Sequence, residues 1–251
     1  MKKFVLHIVS ICCLILVTSC GISEDCFKGN GNQITQTFPL ENFTKIKVYD
    51  GVGLVVKEGP IYEVKVVTSD NIIDDLEVRL DGDMLVVKDN STCNIARDYG
   101  QTTVYVTAPN LTEIHSKTDQ EIRSDGVLNY ADLKLFSIDI SDGAGTGDFR
   151  LTLNCTNFYV ESNNVSNFYI TGQTENLHVF FAWGNGKFEG TNLIVNNTLS
   201  FFHRGSNNIV LFPINLLLGN IYSTGNVIIK NNPVQPPNVI RHYTGRLIND
   251  F

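Results

Sequence analysis

The chain has 251 residues, 43% of them hydrophobic and only 18% charged, with a formal net charge of −7. The apolar fraction excludes a disordered chain, which combines low hydrophobicity with high net charge. The acidic balance excludes nucleic acid as a partner, because phosphate binding needs clustered Lys and Arg. Charge falls below the roughly 25% of an ordinary domain and is replaced by Gly and Asn, residues of turns rather than helices.

The first residues read as an export signal. Lys2 and Lys3 precede an apolar run of 14 residues, from Phe4 to Val17, too short for a transmembrane span of about 20 residues. The run ends in Val17-Thr18-Ser19-Cys20, which resembles a lipobox, the site where lipoprotein signals are cut before a Cys that is then acylated. The expectation is a signal over 1–19, lipidation of Cys20 and a membrane partner through its acyl chains. Each buried methylene of such a chain contributes about 0.8 kcal/mol. Residues 20–28 form an anchor and linker. Gly21-Ile22-Ser23-Glu24-Asp25 is either an acidic tag for surface display or a plain solvated spacer. The predicted location is the outer membrane of a Gram-negative bacterium, facing outward or toward the periplasm. Cys26, Cys93 and Cys155 remain after the lipidated Cys. An exported compartment permits a Cys26–Cys93 disulfide, but three thiols cannot all pair. The absence of C-x-x-C leaves no support for a zinc or thioredoxin-like site.

Residues 29–251 read as one domain. Its first part, 29–108, holds strand candidates at 45–49, 54–57, 63–68, 76–80, 84–88 and 102–108. Asp81-Gly82-Asp83 is a tight hairpin signal between two of them. Residues 90–100 are polar and read as a loop. From 109 to 233 the chain repeats. Short alternating stretches (Phe136–Ile140, Phe158-Tyr159-Val160, Leu177-His178-Val179, Leu199-Ser200-Phe201, Leu217-Leu218) each lead into a Gly- or Asn-rich turn. An apolar residue closes each turn: Phe149, Phe168, Phe188, Ile209 and Val227, at steps of 19, 20, 21 and 18. Alternation places Leu177 and Val179 on one face, and only stacking of successive coils can bury such a face. Gly and Asn suit left-handed corners. The expectation is therefore an all-β, right-handed, single-stranded parallel β-helix with coils of about 20 residues. A leucine-rich solenoid lacks its L-x-x-L-x-L pattern here, and a two-sheet sandwich is the remaining rival. The Pro-rich segment 233–237 closes the solenoid, leaving 234–251 as a cap or tail.

Little chemistry stands out. Gly143-Ala144-Gly145-Thr146-Gly147 mimics a phosphate loop but precedes an alternating strand, not the helix such a loop needs. Asp142 and Asp148 brush a calcium nonapeptide pattern, yet no neighbouring corner repeats the Asp. Asp139, Asp142 and Asp148 fall in one coil, where a hydrolase could place its two carboxylates. Solvated charges explain them more simply. No catalytic residue, metal site or cofactor is expected. The aromatics carry more: Phe180-Phe181-Ala182-Trp183 and Phe201-Phe202-His203-Arg204 fall 21 or 22 apart in adjacent coils. Alternation lets only one of each aromatic pair face the core, so Phe180, Phe181, Trp183, Phe202 and His203 are the candidate ligand or partner surface. Tyr159 and Tyr169 could extend it. Such a column grips a glycan or protein, or only stabilises the ladder.

The N-terminal half carries a family resemblance. Gly29-Asn30-Gly31-Asn32, Phe43-Thr44-Lys45-Ile46-Lys47-Val48, Gly51–Val56, Asp70-Asn71-Ile72-Ile73 and Val104–Leu111 follow one another in order, and Val227–Pro233 ends the series. Together, across about 29–248, they resemble the putative auto-transporter adhesin, head GIN domain family. The later half departs from the family's Ser-Gly-Gly corners, which only 141–145 approaches. The resemblance implies a right-handed β-helix on an exported or lipid-anchored chain of adhesive character. The combined expectation is a non-catalytic envelope lipoprotein that binds a glycan or protein. A scaffold protein and a degenerate polysaccharide-active enzyme are the alternatives.

Overall fold

The computed structural model describes residues 24–91, 95, 96, 98, 100–138, 142, 143 and 145–251. Cys20 and Cys93 therefore lie outside the described residues, as does the signal. The chain forms a parallel β-solenoid of about six turns with coils of about 21 residues.

Two strand columns build the regular part. Strands β9 (Ile122–Leu128) and β10 (Asp132–Ser137) make one coil. In the next coils β11 (Phe149–Ser162), β12 (Phe168–Phe181) and β13 (Phe188–His203) each run through both columns. The series continues with β14 (Ile209–Pro213), β15 (Leu216–Ile221) and β16 (Val227–Ile229), and then β17 (Asn238–Arg241) and β18 (Leu247–Asn249). All of these pair in parallel. The turn-closing residues read from the sequence stack on one another: Phe149 on Phe168, Phe168 on Phe188, then Ile209, Val227 and Leu247. On the second column Leu133, Phe158, Leu177, Leu199 and Leu217 stack likewise. All but Leu247 of these residues are buried, and burying each apolar side chain stabilises the coil by about 1.5–3 kcal/mol. The segment after the prolines is a further coil, since β17 and β18 continue the parallel ladders of β15 and β16.

The N-terminal part stacks out of chain order. Strands β2 (Lys45–Tyr49) and β3 (Val52–Glu58) pair on one side with β8 (Glu113–Lys117) and β9. On the other side they pair with β6 (Met84–Asp89) and β7 (Thr102–Ala108). The coil made later in the chain thus lies outside the one made earlier. Its edges are then closed by antiparallel strands. Strand β5 (Leu76–Asp81) folds onto β6 through the Asp81-Gly82-Asp83 hairpin. Strand β4 (Glu63–Ser69) covers β7, and β1 (Gln33–Phe38), unmarked in the sequence reading, covers β4. Reversing direction caps the column, because a parallel edge left open invites pairing with other chains.

The Asn content has a different cause from the one expected. Among the described non-glycine residues only Asn42 has positive φ, so the corner asparagines are not there for left-handed backbone. Their side chains instead link coil to coil, Asn226 donating to Asn208 Oδ1 (3.3 Å) and Asn207 to the Asn185 carbonyl (3.4 Å), and the asparagines within the strands do the same. Asn157 donates to Asp132 (2.7 Å), Asn176 to Asn157 (2.9 Å) and Asn197 to Asn176 (3.2 Å). Asn215 then donates to Asn197 (3.4 Å) and Gln235 to Asn215 (3.3 Å). A second row runs from Gln173 to Asn154 to Asn129. An amide has both a donor and an acceptor, so one residue type repeated at coil spacing can satisfy itself along the solenoid. Glycine in the turns serves mainly close approach: a Cβ on Gly225 would sit 2.1 Å from the Asn207 carbonyl oxygen and 2.4 Å from His203 Nε2.

Candidate binding surface

The second strand column presents its outer face to solvent, and the rings there form one continuous row. His115 stacks on Phe136 (4.6 Å between ring centres), and Phe136 meets Tyr159 at 5.9 Å. Tyr159 stacks on His178 (5.5 Å), which adjoins Phe180 at 6.3 Å. Phe180 stacks on Phe202 at 4.8 Å, Phe202 meets Tyr222 at 4.8 Å, and Tyr222 stacks on His242 at 4.1 Å. The first six rings are half-buried, Tyr222 is 40% exposed and His242 is exposed. Each such contact stabilises the ladder by about 0.5–1.5 kcal/mol beyond its buried area.

The structure divides the five candidate residues. Phe180 and Phe202 face outward in register with each other. Phe181 and His203 do not belong to the surface: they are 1% and 0% exposed and face the interior. The reason is the alternation that puts Leu177 and Val179 inside, which holds for two more residues and takes Phe181 with it. Leu199 and Phe201 carry His203 inward in the same way. Trp183 is 58% exposed in the turn after β12 and forms none of the ring contacts of the row. Tyr159 extends the row, whereas Tyr169 lies on the other column, with the Arg150 guanidinium 4.0 Å from its ring centre. Cys20 is outside the described residues.

His115, Phe136, His178, Tyr222 and His242 were not assigned to this surface from the sequence. The row drifts along the strands: Phe180 is opposite Phe202, but the next ring is Tyr222, two positions beyond Asn220, the strand partner of Phe202. A search at one fixed register passes over it. Burial lowers the pKa of His115 and of His178, which favours the neutral ring.

Beside the row a groove of about 400 Å³ opens between the rings and the first asparagine ladder. Its walls include Asp132, Asn157 and Asn176 on one side and Lys134, Tyr159 and His178 on the other. Tyr159 donates its hydroxyl to Glu161 (2.8 Å), and His178 Nδ1 lies 2.7 Å from Ser200 Oγ. These bonds fix both rings.

The carboxylates considered for hydrolysis are otherwise engaged. Asp142 is paired with Lys117 (2.9 Å) and Lys47 (3.3 Å) and accepts from the Tyr49 hydroxyl (3.0 Å). Partial burial pushes its pKa up, but hydrogen bonds from Lys117, Tyr49 and Lys47 outweigh that and hold it at about 2. Lys117, itself buried, also donates to the carbonyls of Ile138 (2.6 Å) and Gly143 (2.8 Å). Asp148 accepts from Asn167 Nδ2 (2.8 Å). Asp139 lies outside the described residues.

Fold and face together define a parallel β-solenoid with an aromatic outer row. The chain belongs to the family described as putative auto-transporter adhesin, head GIN domain, whose model matches residues 42–233. Among solved structures it is similar to a putative adhesin from Bacteroides fragilis, at 19% identity and a TM-score of 0.78, over 87% of this chain and 97% of that one. A putative adhesin from Parabacteroides merdae (14% identity, TM-score 0.64, 89% and 98% covered) shares the fold. So does a protein from Parabacteroides distasonis named a putative lipid binding protein (13%, 0.63, 89% and 98%). No curated protein matches the chain.

Proposed function

We propose that this chain is an exported, lipid-anchored protein of the cell envelope that acts by adhesion and not by catalysis, with the outer aromatic row as its contact face. One observation carries the reading: eight rings from His115 to His242 remain partly open to solvent along one face. A row needed only for stability would gain by full burial, as the interior pair Phe149 and Phe168 does. The structural roles of Asp142 and Asp148 support a non-catalytic protein. The family description supports adhesion. The motif ending at Cys20, with the basic and apolar residues before it, supports acylation there and anchoring in the outer membrane.

The test is adhesion of soluble residues 21–251 to immobilised mucin, fibronectin, laminin, collagen and peptidoglycan, measured by surface plasmon resonance. The triple variant Phe180→Ser, Phe202→Ser, Tyr222→Ser is expected to lose at least tenfold in affinity while its near-ultraviolet circular dichroism stays native. Failure of the unaltered protein to bind any of these surfaces, or equal binding by the folded variant, would overturn the reading. Anchoring is tested separately: Cys20→Ala should move the full chain from the membrane to the soluble fraction.

A further inference from the structure

We infer that the groove between the aromatic row and the asparagine ladder holds a neutral glycan strand lying along the solenoid axis. This rests on the outer face being the contact surface. The two walls differ in chemistry and run in step over the coils of β11 and β12. On one side Asn157 and Asn176 each use one donor and one acceptor on the neighbouring coil. An amide has two N–H groups and two carbonyl lone pairs, so each keeps a donor and an acceptor for a ligand. On the other side Tyr159 and His178, stacked on each other at 5.5 Å, line the groove as half-buried rings held by hydrogen bonds to Glu161 and Ser200. Sugar rings present both complements: C–H groups that pack on the exposed parts of the rings, and hydroxyls that both donate and accept.

Coils repeat at about 4.8 Å, close to the rise per sugar of an extended pyranose chain. A polymer along the axis would meet an amide and a ring at two successive coils, Asn157 with Tyr159 and Asn176 with His178, with Asp132 and Lys134 at one end and Thr198 and Ser200 at the other.

Other occupants fit less well. A peptide adding as a strand needs a free sheet edge, and this groove lies on a face whose strands β10, β11, β12 and β13 are paired on both sides. An acyl chain would strand the amide wall without partners, at a cost of about 1–3 kcal/mol per polar group. A polyanionic glycan would find Lys134 as the one cation on a wall that also carries Asp132, on a chain of net charge −7.

The experiment uses soluble residues 21–251 on a glycan array, followed by calorimetry with neutral glucan, mannan, galactan, xylan and chitin oligosaccharides of two to six sugars. Expected results are signal for at least one neutral series, affinity rising with chain length, and at least tenfold loss in Tyr159→Ala and in Asn176→Ala. Thr198→Arg, which leaves the ladder and rings in place and puts a long side chain at the rim, should lose as much, so a poorly folding ladder variant does not decide the matter. Trp183→Ala should bind unchanged. Signal confined to acidic glycans, or equal affinity in Tyr159→Ala and Thr198→Arg, would overturn the inference. Row-dependent adhesion to the protein surfaces above, with no neutral glycan bound, would overturn it while leaving the adhesion reading standing.

Discussion

His203 gives the sharpest physical prediction. Its side chain is fully buried beneath Phe181 and the turn at Gly225, and the Asn207 backbone is the one group that acts on its ring nitrogens, without meeting full hydrogen-bond geometry. Burial lowers its pKa from 6.5 to about 4, opposed weakly by the backbone of Asn207, and no charged side chain contributes. The folded state therefore holds the ring neutral while the unfolded chain protonates near 6.5. Above pH 6.5 the ring is neutral in both states and adds no pH dependence. As pH falls from 6.5 to 4, only the unfolded state gains the proton, and stability drops by about 1.4 kcal/mol per unit. Below 4 the loss is complete, at about 3 kcal/mol. His203→Phe and His203→Leu remove the titrating group and its poorly satisfied buried nitrogens together. Urea unfolding at pH 7.5, 6.5, 5.5 and 4.5 should show a shallower decline for both variants than for the unaltered protein, by about 2.5 kcal/mol across the range. His115 and His178 shift in the same direction but are common to all three proteins and cancel in the difference. Parallel declines in all three would refute the argument that His203 is buried neutral.

Three further outcomes follow from the packing. Lys117→Met should cost about 2 kcal/mol or more, because the carbonyls of Ile138 and Gly143 lose a donor. In the same variant the Asp142 carboxyl should rise from about 2 toward 3.8 in a carbon-detected titration, and an unchanged value would show that Lys117 does not hold it. Gly225→Ala should destabilise by about 1–3 kcal/mol or prevent folding, since its Cβ would strike Asn207 and His203. Gly29→Ala, with open space around it, should leave the thermal midpoint unchanged. Burial, helped by Asp132 and Glu58, pushes the Cys155 thiol up to about 12. Iodoacetamide at pH 8 should leave it unmodified in the native protein and label it in urea, as read by mass spectrometry; labelling of the native protein would contradict its burial.

Much of the coil was legible. The spacing of Phe149, Phe168, Phe188, Ile209 and Val227 is the spacing of stacked turns, because each is the residue that plugs the interior where a coil closes. The phase of β12 and β13 was legible too, had the alternation from Leu177 and Leu199 been carried through the aromatic pairs. Doing so sends Phe181 and His203 inward and leaves Phe180 and Phe202 for the surface. The Asn-rich corners are visible in the sequence but their role is not, since a sequence shows which residue type recurs and not what its side chain reaches.

What the sequence determines by itself is periodicity, and with it an all-β solenoid with apolar residues inside. Period-2 alternation and a step near 20 are local properties, and burial of one face leaves stacking as the only outlet. Three features were decided only in three dimensions. The coil of β6 and β7 lies outside that of β2 and β3, a choice made by long-range strand pairing that no local pattern encodes. The aromatic row slants two residues along the strands, so its members become neighbours only once register is set. The groove exists because one amide ladder and one ring row fall on the same face, a juxtaposition that depends on coil register and not on either set of residues alone.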